Sequence, residues 1–321
     1  MPYDLSIIII NWNGGSLLTR CVETIVSSAP GVSYEVVIID NASSDDSLDQ
    51  LRASEVAARM IAGEQLRIVV NPDNRGFGAA NNQAFALTDS PFVFLLNLDT
   101  EVPPGTIDTL IQKLTSDPKI GACGPKLLNA DGTTQTSVFF NPPSVWHTIL
   151  SQLWLYRLLP RRMRGELLLG WHWSHDRERS VPMLGGAAIL AKREMIEQVG
   201  GFNERYHMYA EDNEWCWRIT QKDWRLMFVP EAILLHHGAQ SSGKRWTPAD
   251  QIRVKLSAGF NFERQVLPRW RLAANQLANC AVVTVQIVGR KLLRIQHPEL
   301  EVIMEMHRKH LKLALTSNGH R

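Results

Sequence analysis

The hydrophobic pattern of the first hundred residues predicts a parallel sheet with helices between its strands. Mainly apolar runs rich in β-branched residues occupy 5–10, 34–39 and 66–70, and a fourth begins at Phe92. Such runs are typical of strands that are buried on both faces. Between the first two runs, apolar residues recur at helical spacing over 17–26. Strands that alternate with helices in this way predict a doubly wound α/β sheet with right-handed crossovers.

Three of these predicted strands end in polar side chains. Asn11 and Asn13 follow the first strand, Asp40 ends the second, and Asn97 and Asp99 end the fourth. Because open α/β sheets bind ligands at the carboxyl ends of their strands, we expect these side chains to lie together at a binding site. Carboxylate oxygens suit Mg²⁺, which completes its shell with water and phosphate oxygens. A polar turn is the alternative for the fourth strand end, and its residues alone favour neither interpretation.

The pattern continues beyond residue 100 and then changes. It predicts helices over 105–118 and 193–199, and strands over 120–128, 182–191, 226–230 and 232–235. Residues 137–180 are less regular and rich in Trp, Leu and Arg, which fits either a membrane-facing segment or a surface helix. Beyond Pro248 the pattern is mainly helical. We therefore predict an α/β domain over 1–245 and a helical extension over 246–321.

Charge distinguishes the extension from the rest of the chain. The whole chain has a net charge of +2, yet residues 240–321 contain 14 Lys or Arg and only 5 Asp or Glu. A basic, apolar-striped tail fits an anionic membrane surface, a homodimer interface or a solvated helical face. Nucleic acid is a poor partner, because no recognisable reading motif accompanies the charge.

Several classes of protein and compartment are disfavoured by what the sequence lacks. The turn after the first strand is not G-x-G-x-x-G, and no phosphate-binding P-loop occurs, which excludes a dehydrogenase and a P-loop NTPase. The four cysteines are scattered, so neither disulfides nor a zinc site is expected. No signal peptide and no uninterrupted 18-residue apolar run is present. We expect a cytoplasmic protein, peripheral at the inner face of the cell membrane at most.

Later segments contain further candidates for chemistry. Glu211 and Asp212 open a predicted helix, where the helix dipole also favours acidic residues for structural reasons alone. A pair of histidines, His236 and His237, ends the last predicted strand and favours function over structure. Gly186 belongs to a Gly-Gly pair that would let the backbone approach a ligand or form a bulge.

Taken in order, these segments give a resemblance to a known family. The matching stretches are residues 7–13, 37–43, 74–81, 95–101 and 185–187, then Glu211 and Asp212 with Arg218, and finally His237. The sequence resembles the family 2 glycosyltransferases with a GT-A fold, and within them the bacterial rhamnosyltransferase-like branch. The resemblance covers residues 5–241 and leaves the tail after about residue 250 uncovered. It implies a Rossmann-like, mostly parallel twisted sheet flanked by helices.

The resemblance also implies a role for each site residue. Asp212 would be the catalytic base and Glu211 its support, while Asp99 and His237 would hold Mg²⁺ or Mn²⁺. Asp40 would contact the base or ribose of a nucleotide-sugar. The residues assigned to the nucleotide-sugar are Asn11, Asn13, Asp40, Arg75, Gly76, Asn82, Asn97 and Gly186. Because Asn97 stands at the first position of the family's D-x-D element, we expect the metal to depend mainly on Asp99, the diphosphate and His237.

The function implied is an inverting, non-processive transferase for cell-surface polysaccharide. The Q-x-x-R-W element of processive synthases is missing, and a base at Asp212 gives single displacement. The branch favours dTDP-rhamnose, with UDP- or GDP-sugars open, and a glycan or polyprenyl-linked acceptor. One alternative is a non-catalytic nucleotide-sugar or glycan-binding module. A sugar nucleotidyltransferase is less favoured, because the turn at 11–15 lacks the basic residue that would bind a triphosphate.

Overall fold

The computed structural model describes residues 3–139, 142, 144–238, 246–292 and 298–316. The strands are β1 (Leu5–Asn11), β2 (Tyr34–Asp40), β3 (Leu66–Val70), β4 (Phe92–Asn97), β5 (Thr100–Glu101), β6 (Ile120–Leu128), β7 (Thr134–Gln135), β8 (Arg179–Val181), β9 (Ala188–Lys192) and β10 (Arg225–His236). The helices are α1 (Ser16–Ser28), α2 (Ser47–Ala53), α3 (Glu55–Ala62), α4 (Phe77–Leu87), α5 (Thr106–Thr115), α6 (Val145–Gln152), α7 (Arg161–Leu168), α8 (Arg193–Val199), α9 (Glu211–Gln221), α10 (Pro248–Val266), α11 (Arg269–Leu292) and α12 (Pro298–Thr316).

The chain divides into two compact units, whose ranges differ from the domains predicted from the sequence. The first unit comprises Met1–Phe139 and His175–Ser241, and the second comprises Phe140–Ser174 and Ser242–Arg321. The predicted boundary near residue 245 therefore misses one segment of the second unit. That segment belongs there because α6 packs against α11, a contact between parts of the chain that no local pattern reveals.

One mixed sheet forms the centre of the first unit, in the order β3-β2-β1-β4-β9-β6-β10-β5. β1 pairs in parallel with both β2 and β4, as the continuous apolar runs predict. β9 is antiparallel to β4 and to β6, so the sheet is less uniformly parallel than expected. Because β9 runs against β4, it begins at the edge where β4 ends, and the loop before β9 reaches the candidate site.

Three predicted strands take a different form in the structure. Of the predicted strand over 182–191, only the part from Ala188 onward is a strand, β9, and the preceding residues form the loop after β8. This loop turns where the Gly185 N–H donates to the Ser137 carbonyl oxygen at 2.7 Å. The two strands predicted before His236 form the single strand β10. Its register against β6 shifts between Val229 and Ile233, at a bulge around Pro230, because proline has no N–H to give to the ladder.

Helix α1 shows how the helices attach to the sheet. Its residues Leu18, Cys21, Val22 and Ile25 are all fully buried in the main core cluster of the first unit. Their spacing of three and four residues gives one apolar stripe along the helix. Full burial of a leucine or isoleucine contributes roughly 1.5–3 kcal/mol. This packing makes the sheet a rigid support for the loops at its edge.

The second unit is helical, as predicted for the C-terminal extension. Helices α11 and α12 bury the cluster of Val283, Leu300 and Met304 between them. Among the described residues, α11 alone is long and apolar enough to cross a membrane by length and composition, with 33% of its most apolar stretch buried. This helix was not selected by the search for an uninterrupted apolar run in the sequence, and the core helix of a soluble protein passes the same test of length and composition.

Candidate active site

The ends of several strands meet at one edge of the sheet. Asn11, at the end of β1, lies opposite Asp40 at the end of β2, and Ile10 lies opposite Asn97 at the end of β4. The Asn97 N–H donates to the Ala187 carbonyl oxygen at 2.9 Å, which fixes the start of β9 at the same edge. The parallel register thus brings the polar strand ends together, as expected of a ligand site in such a sheet.

Asn11, Asn13 and Asp40 all order the loop that follows β2. Asn11 Nδ2 donates to Asp40 Oδ1 at 2.6 Å, and Asp40 Oδ1 also accepts from Ser43 Oγ at 2.6 Å. Asn13 has a positive φ of 52° and its Oδ1 accepts from the Ser44 N–H at 2.8 Å. Because the Asp40 side chain is buried, its present contacts are with the protein. Nucleotide contacts for these three residues stay predictions.

The predicted pocket residues after β3 lie in different environments. Arg75 is exposed, while Gly76 has a φ of +87° and a Cβ added there would lie 2.6 Å from the His207 carbonyl oxygen. Only glycine fits this close approach without strain. Asn82 Nδ2 donates to the Phe202 carbonyl oxygen at 2.9 Å, and its Oδ1 accepts from the Phe202 N–H at 2.7 Å. The Asn82 amide therefore bonds a backbone loop, and its nucleotide contact stays a prediction.

The carboxylate predicted to bind metal faces a different histidine from the one assigned to it. Asp99 Oδ1 lies 3.2 Å from His236 Nε2, and both side chains are largely buried, with 8% and 12% of their surface exposed. Asn97 Nδ2 lies 3.4 Å from the same His236 Nε2. His237 contributes only its backbone N–H to Asp99, bonding the carbonyl oxygen at 2.9 Å. The geometry thus favours His236 over His237 as the partner of Asp99.

The His237 ring instead belongs to an ion-pair cluster with Glu101. Its Nε2 lies 2.9 Å from Glu101 Oε1, and Arg20 donates to Glu101 Oε2 at 3.0 Å. The hydrogen bond from Arg20, followed by that from His237, lowers the pKa of the Glu101 carboxyl below its usual range. Glu101 therefore stays ionised, with its charge already balanced by the Arg20 guanidinium.

Asp99 and His236 fit a divalent cation of the size of Mg²⁺ or Mn²⁺. Adjacent ligands in an octahedral shell with bonds near 2.1 Å lie roughly 3 Å apart, which matches the separation of Asp99 Oδ1 and His236 Nε2. Within the described part of the chain, no group of three or more His, Cys, Asp or Glu forms a metal cluster. A cation here would have two protein ligands and would take the rest from diphosphate and water.

Glu211 and Asp212 form a second carboxylate pair, at the first turn of α9. Asp212 Oδ2 accepts from the Gly186 N–H at 3.1 Å, and Asp212 Oδ1 accepts from the Asn213 N–H at 2.8 Å. Glu211 is buried, and its Oε2 has no hydrogen-bond partner. Burial, followed by the charge of Asp212, raises the pKa of Glu211 to about 8. Burial also raises the pKa of Asp212, so this pair retains a proton that isolated carboxyls would lose.

The position of this pair depends on the rest of α9 and on the turn before it. Arg218 Nε donates to both Glu214 oxygens, and Arg218 Nη2 donates to the Gly201 carbonyl oxygen at 2.6 Å. Trp215 is fully buried against Phe202. These contacts place Arg218, part of the recognised motif, in a structural role that anchors α9 and sets where its first turn lies.

The structure also shows how the two carboxylate clusters are connected. Gly186 donates its N–H to Asp212, and the next residue, Ala187, accepts from the Asn97 N–H. Asn97 is two residues from Asp99 in the chain. One short backbone segment thus contacts both clusters. Of the predicted residues, the structure brings Gly186, Asn97, Asp99, Glu211 and Asp212 together around this segment.

Two residues near Asp99, His236 and Gln135, have no role assigned from the sequence. His236 was noticed only as one of a pair, and alternation along β10 could not assign it because the bulge at Pro230 resets the two faces. Gln135 Oε1 lies 2.5 Å from His236 Nδ1. It comes from the short strand β7, and no sequence signal connects it with a histidine about a hundred residues away.

The amino-acid sequence is similar to those of known glycosyltransferases. Residues 6–165, about half of the chain, match the profile of Glycosyl transferase family 2, and the chain belongs to that family. Its place is in the rhamnosyltransferase-like branch. It is 28% identical, over 80% of its own length and 83% of the relative's, to the N-acetylglucosaminyl-diphospho-decaprenol L-rhamnosyltransferase of Mycobacterium tuberculosis.

The chain is also similar to a more distant relative, and it shares its fold with a solved structure. The chain is 23% identical to a low-salt glycan biosynthesis hexosyltransferase of Haloferax volcanii, over 94% of its own length and 82% of the relative's. A mannosyltransferase from Pyrobaculum calidifontis, solved in complex with GDP-Man and Mn²⁺, matches 98% of this chain and 86% of its own with a TM-score of 0.58 at 17% identity. The predicted GT-A fold with a helical extension is confirmed.

Proposed function

We propose that the protein is an inverting, metal-dependent glycosyltransferase that moves rhamnose from dTDP-rhamnose to a hydroxyl of a glycan or polyprenyl-linked acceptor. The observation that carries this proposal is the meeting of two unlike carboxylate clusters at one sheet edge. Asp99 and His236 are spaced to bind a divalent cation, whereas Asp212 and Glu211 have raised pKa values that favour accepting a proton. The donor and the lipid-linked acceptor are proposed by analogy with the mycobacterial rhamnosyltransferase, which is similar over most of both chains.

The chemistry assigns the proton to Asp212. An acceptor hydroxyl is a weak nucleophile until a carboxylate takes its proton in the transition state. The raised pKa of Asp212 makes its carboxylate a stronger base than an exposed aspartate, and the Gly186 N–H orients it. The hydroxyl oxygen then forms a bond to the anomeric carbon as the bond from that carbon to the diphosphate breaks. Attack from the face opposite the leaving group inverts the anomeric configuration.

The remaining polar residues bind and orient the donor. Asp99 and His236 would hold Mg²⁺ or Mn²⁺, which, when bound, neutralises the negative charge that develops on the departing diphosphate. The loop ordered by Asn11 and Asp40 lies at the same edge and would surround the nucleoside. Single transfer per encounter follows from the missing processive motif, as argued from the sequence.

The test is an assay for nucleoside diphosphate release with purified protein, a panel of nucleotide-sugars and Mg²⁺ or Mn²⁺, with and without EDTA. We expect metal-dependent release from dTDP-rhamnose, increased by membrane extract that supplies the acceptor. Transfer to a product with retained anomeric configuration would contradict the mechanism. Donor binding without release under any condition would support the alternative of a non-catalytic binding module, and pyrophosphate release from a nucleoside triphosphate would support a nucleotidyltransferase.

We also propose that the second unit binds an anionic membrane surface at the inner face of the cell membrane. Fourteen of the 18 exposed large apolar side chains in the described residues belong to this unit, among them Trp146, Trp154, Trp171 and Trp270. Tryptophan favours the boundary between lipid and water, and the excess of Lys and Arg in residues 240–321 complements anionic lipid. A protein bound to this membrane would have access to a lipid-linked acceptor.

Vesicle flotation tests the membrane proposal. We expect binding to vesicles that contain anionic phospholipid, weaker binding to zwitterionic vesicles, and loss of binding as salt is raised. Replacing Trp171 and Trp270 by Ser should weaken binding by at least about tenfold, because each buried tryptophan contributes more than 1 kcal/mol. Ile61→Ser, at an exposed apolar residue of the first unit, is the control. Concentration-dependent dimers that ignore lipid would instead support a homodimer interface and overturn the proposal.

A further inference from the structure

A chain of hydrogen bonds runs from the turn after β6 to His236. Thr133 Oγ1 donates to Asp131 Oδ1 at 2.6 Å, and Asn129 Nδ2 donates to Thr133 Oγ1 at 2.9 Å. Gln135 Nε2 donates to Asn129 Oδ1 at 3.0 Å, and Gln135 Oε1 lies 2.5 Å from His236 Nδ1. The proposed function does not use the first four of these five residues.

The order of donors and acceptors along these hydrogen bonds is fixed, and Asp131 fixes it. An ionised carboxylate can only accept hydrogen bonds. The side-chain and backbone hydrogen bonds from Thr133 lower the pKa of Asp131, so it stays ionised. Because Thr133 donates its hydroxyl proton to Asp131, the hydroxyl oxygen must accept from its other neighbour, Asn129. The NH₂ of Asn129 therefore faces Thr133, and its carbonyl oxygen faces Gln135.

The same reasoning passes through Gln135 to the imidazole ring. Its NH₂ donates to Asn129, so its carbonyl oxygen faces His236 and can only accept. The proton of the neutral ring is then on Nδ1, and Nε2 presents a lone pair. Asn97 Nδ2, at 3.4 Å from this Nε2, is a donor and agrees with an accepting Nε2.

We propose that Gln135, oriented from Asp131 through Thr133 and Asn129, positions His236 with its Nε2 lone pair directed at Asp99 for divalent cation binding. Asp99 Oδ1 is itself an acceptor, 3.2 Å from His236 Nε2. Two acceptors at that distance repel unless a cation lies between them. Hydrogen bonds of this kind commonly fix the tautomer of metal-binding histidines, and their loss lowers metal affinity by about 10–100-fold.

This inference rests on the metal dependence within the proposed function, and the contacts have a purely structural alternative. β7 pairs with β6, and the Asn129–Gln135 bond also closes that hairpin. If the contacts only supported the hairpin, they would affect stability but would not fix a single tautomer of His236. The tautomer of the ring and its cation affinity therefore distinguish the two roles.

The first measurement is the ¹⁵N NMR spectrum of the imidazoles in the cation-free protein near pH 7.5. The His236 signals are identified as those lost in His236→Asn. We expect shifts that place the proton on Nδ1 in the wild-type protein and in Gln135→Glu, which keeps an acceptor oxygen. In Gln135→Met we expect the proton on Nε2, donated to Asp99. Wild-type His236 with its proton on Nε2, or on both nitrogens, would overturn the proposal.

The second measurement is Mn²⁺ affinity in the presence of dTDP, followed through the electron paramagnetic resonance of free Mn²⁺. We expect Gln135→Met to bind Mn²⁺ about 10–100-fold more weakly and Gln135→Glu to stay within about threefold of the wild type. Equal affinity in the folded Met variant contradicts the positioning role. Neither measurement needs a donor sugar or transfer activity, so failure here is separable from failure of the proposed function.

Discussion

Two groups of carboxylates near the same edge of the sheet, the Glu101 cluster and the Glu211–Asp212 pair, lie in opposite environments. In the cluster of Glu101 with Arg20 and His237, neighbouring donors lower the pKa of the carboxyl. In the pair of Glu211 and Asp212, burial raises both pKa values, and the charge of Asp212 adds to the shift of Glu211, whose pKa rises to about 8. The residue types are similar, so the difference comes from their neighbours.

Asp99 differs from both of these groups in the partner that its side chain faces. Unlike Glu101, Asp99 forms no ion pair with a lysine or arginine in the described residues, and its close partner is the His236 ring. A carboxylate already balanced by a guanidinium gains little from a cation, whereas one facing an imidazole lone pair gains much. Under the proposed function, Asp99 would therefore bind the cation and Asp212 would take the proton, at the same edge of the sheet.

The largest effect should come from removing the proton acceptor. We expect Asp212→Asn to lower kcat by about 10²–10⁴-fold, the usual contribution of a general base, with donor and Mn²⁺ affinity nearly unchanged. Initial rates and separate binding titrations measure this. If the variant turned over normally, Asp212 would not be the base and the contrast between the clusters would lose its catalytic meaning.

Asp99→Asn should have the next largest effect, and this effect should be on cation binding. We expect Mn²⁺ affinity to fall at least tenfold and kcat/KM by about 10²-fold, because charge on the leaving diphosphate is less well neutralised. The matched control is Glu101→Gln, at a carboxylate two residues away that Arg20 already balances; it should change Mn²⁺ affinity less than threefold. Equal losses in both variants would show that the distinction between the carboxylates is wrong.

A smaller effect concerns stability and pH. The pKa of Glu211 is raised from 4.5 to about 8 on folding, so the folded state binds the proton more tightly than the unfolded state. Its contribution to stability is complete below about pH 4.5 and is lost as pH rises towards 8, by at most about 1.4 kcal/mol per pH unit. Denaturant titrations from pH 5 to 9 should show this loss, and Glu211→Gln should flatten it. An unchanged slope in the variant would place the shifted pKa elsewhere.

The smallest effect should come from Arg20, which lies on the surface with 59% of its side chain exposed. Exposed ion pairs contribute little in water. We expect Arg20→Gln to keep kcat/KM within about threefold of wild type and Arg20→Lys to be indistinguishable from it. Steady-state rates at low and high salt test this. A loss as large as that of Asp99→Asn would mean that the Glu101 cluster takes part in cation binding.

Much of the first unit could be predicted from the sequence because its signals are local. Continuous apolar runs identified β1, β2, β3 and β4, and polar residues at their ends identified the edge of the sheet that bears the site. Parallel pairing then follows from alternation of strands with helices. The orientation of β9 could not be predicted, because strand direction depends on which distant strands it joins.

The sequence could not predict which histidine pairs with which carboxylate. Adjacent residues of an extended chain face opposite sides, so His236 and His237 would not both face Asp99. The histidine that faces Asp99 is determined by the bulge near Pro230, and the length of this bulge is set by the pairing of β10 with β6. Likewise, Gln135 reaches the site through the geometry of β7, and the placement of residues 140–174 through packing of α6 on α11. These are long-range contacts that leave no periodic trace.

The turn before α9 has a consequence for how this protein could be engineered. Tyr209 and Ala210 both adopt left-handed backbone, with φ of 65° and 67°, directly before Glu211. A non-glycine residue in this region costs about 1 kcal/mol. Ala210→Gly would remove this backbone strain, but glycine would also let the turn before Glu211 move more freely. If Asp212 is the base, this exchange would raise stability and lower turnover.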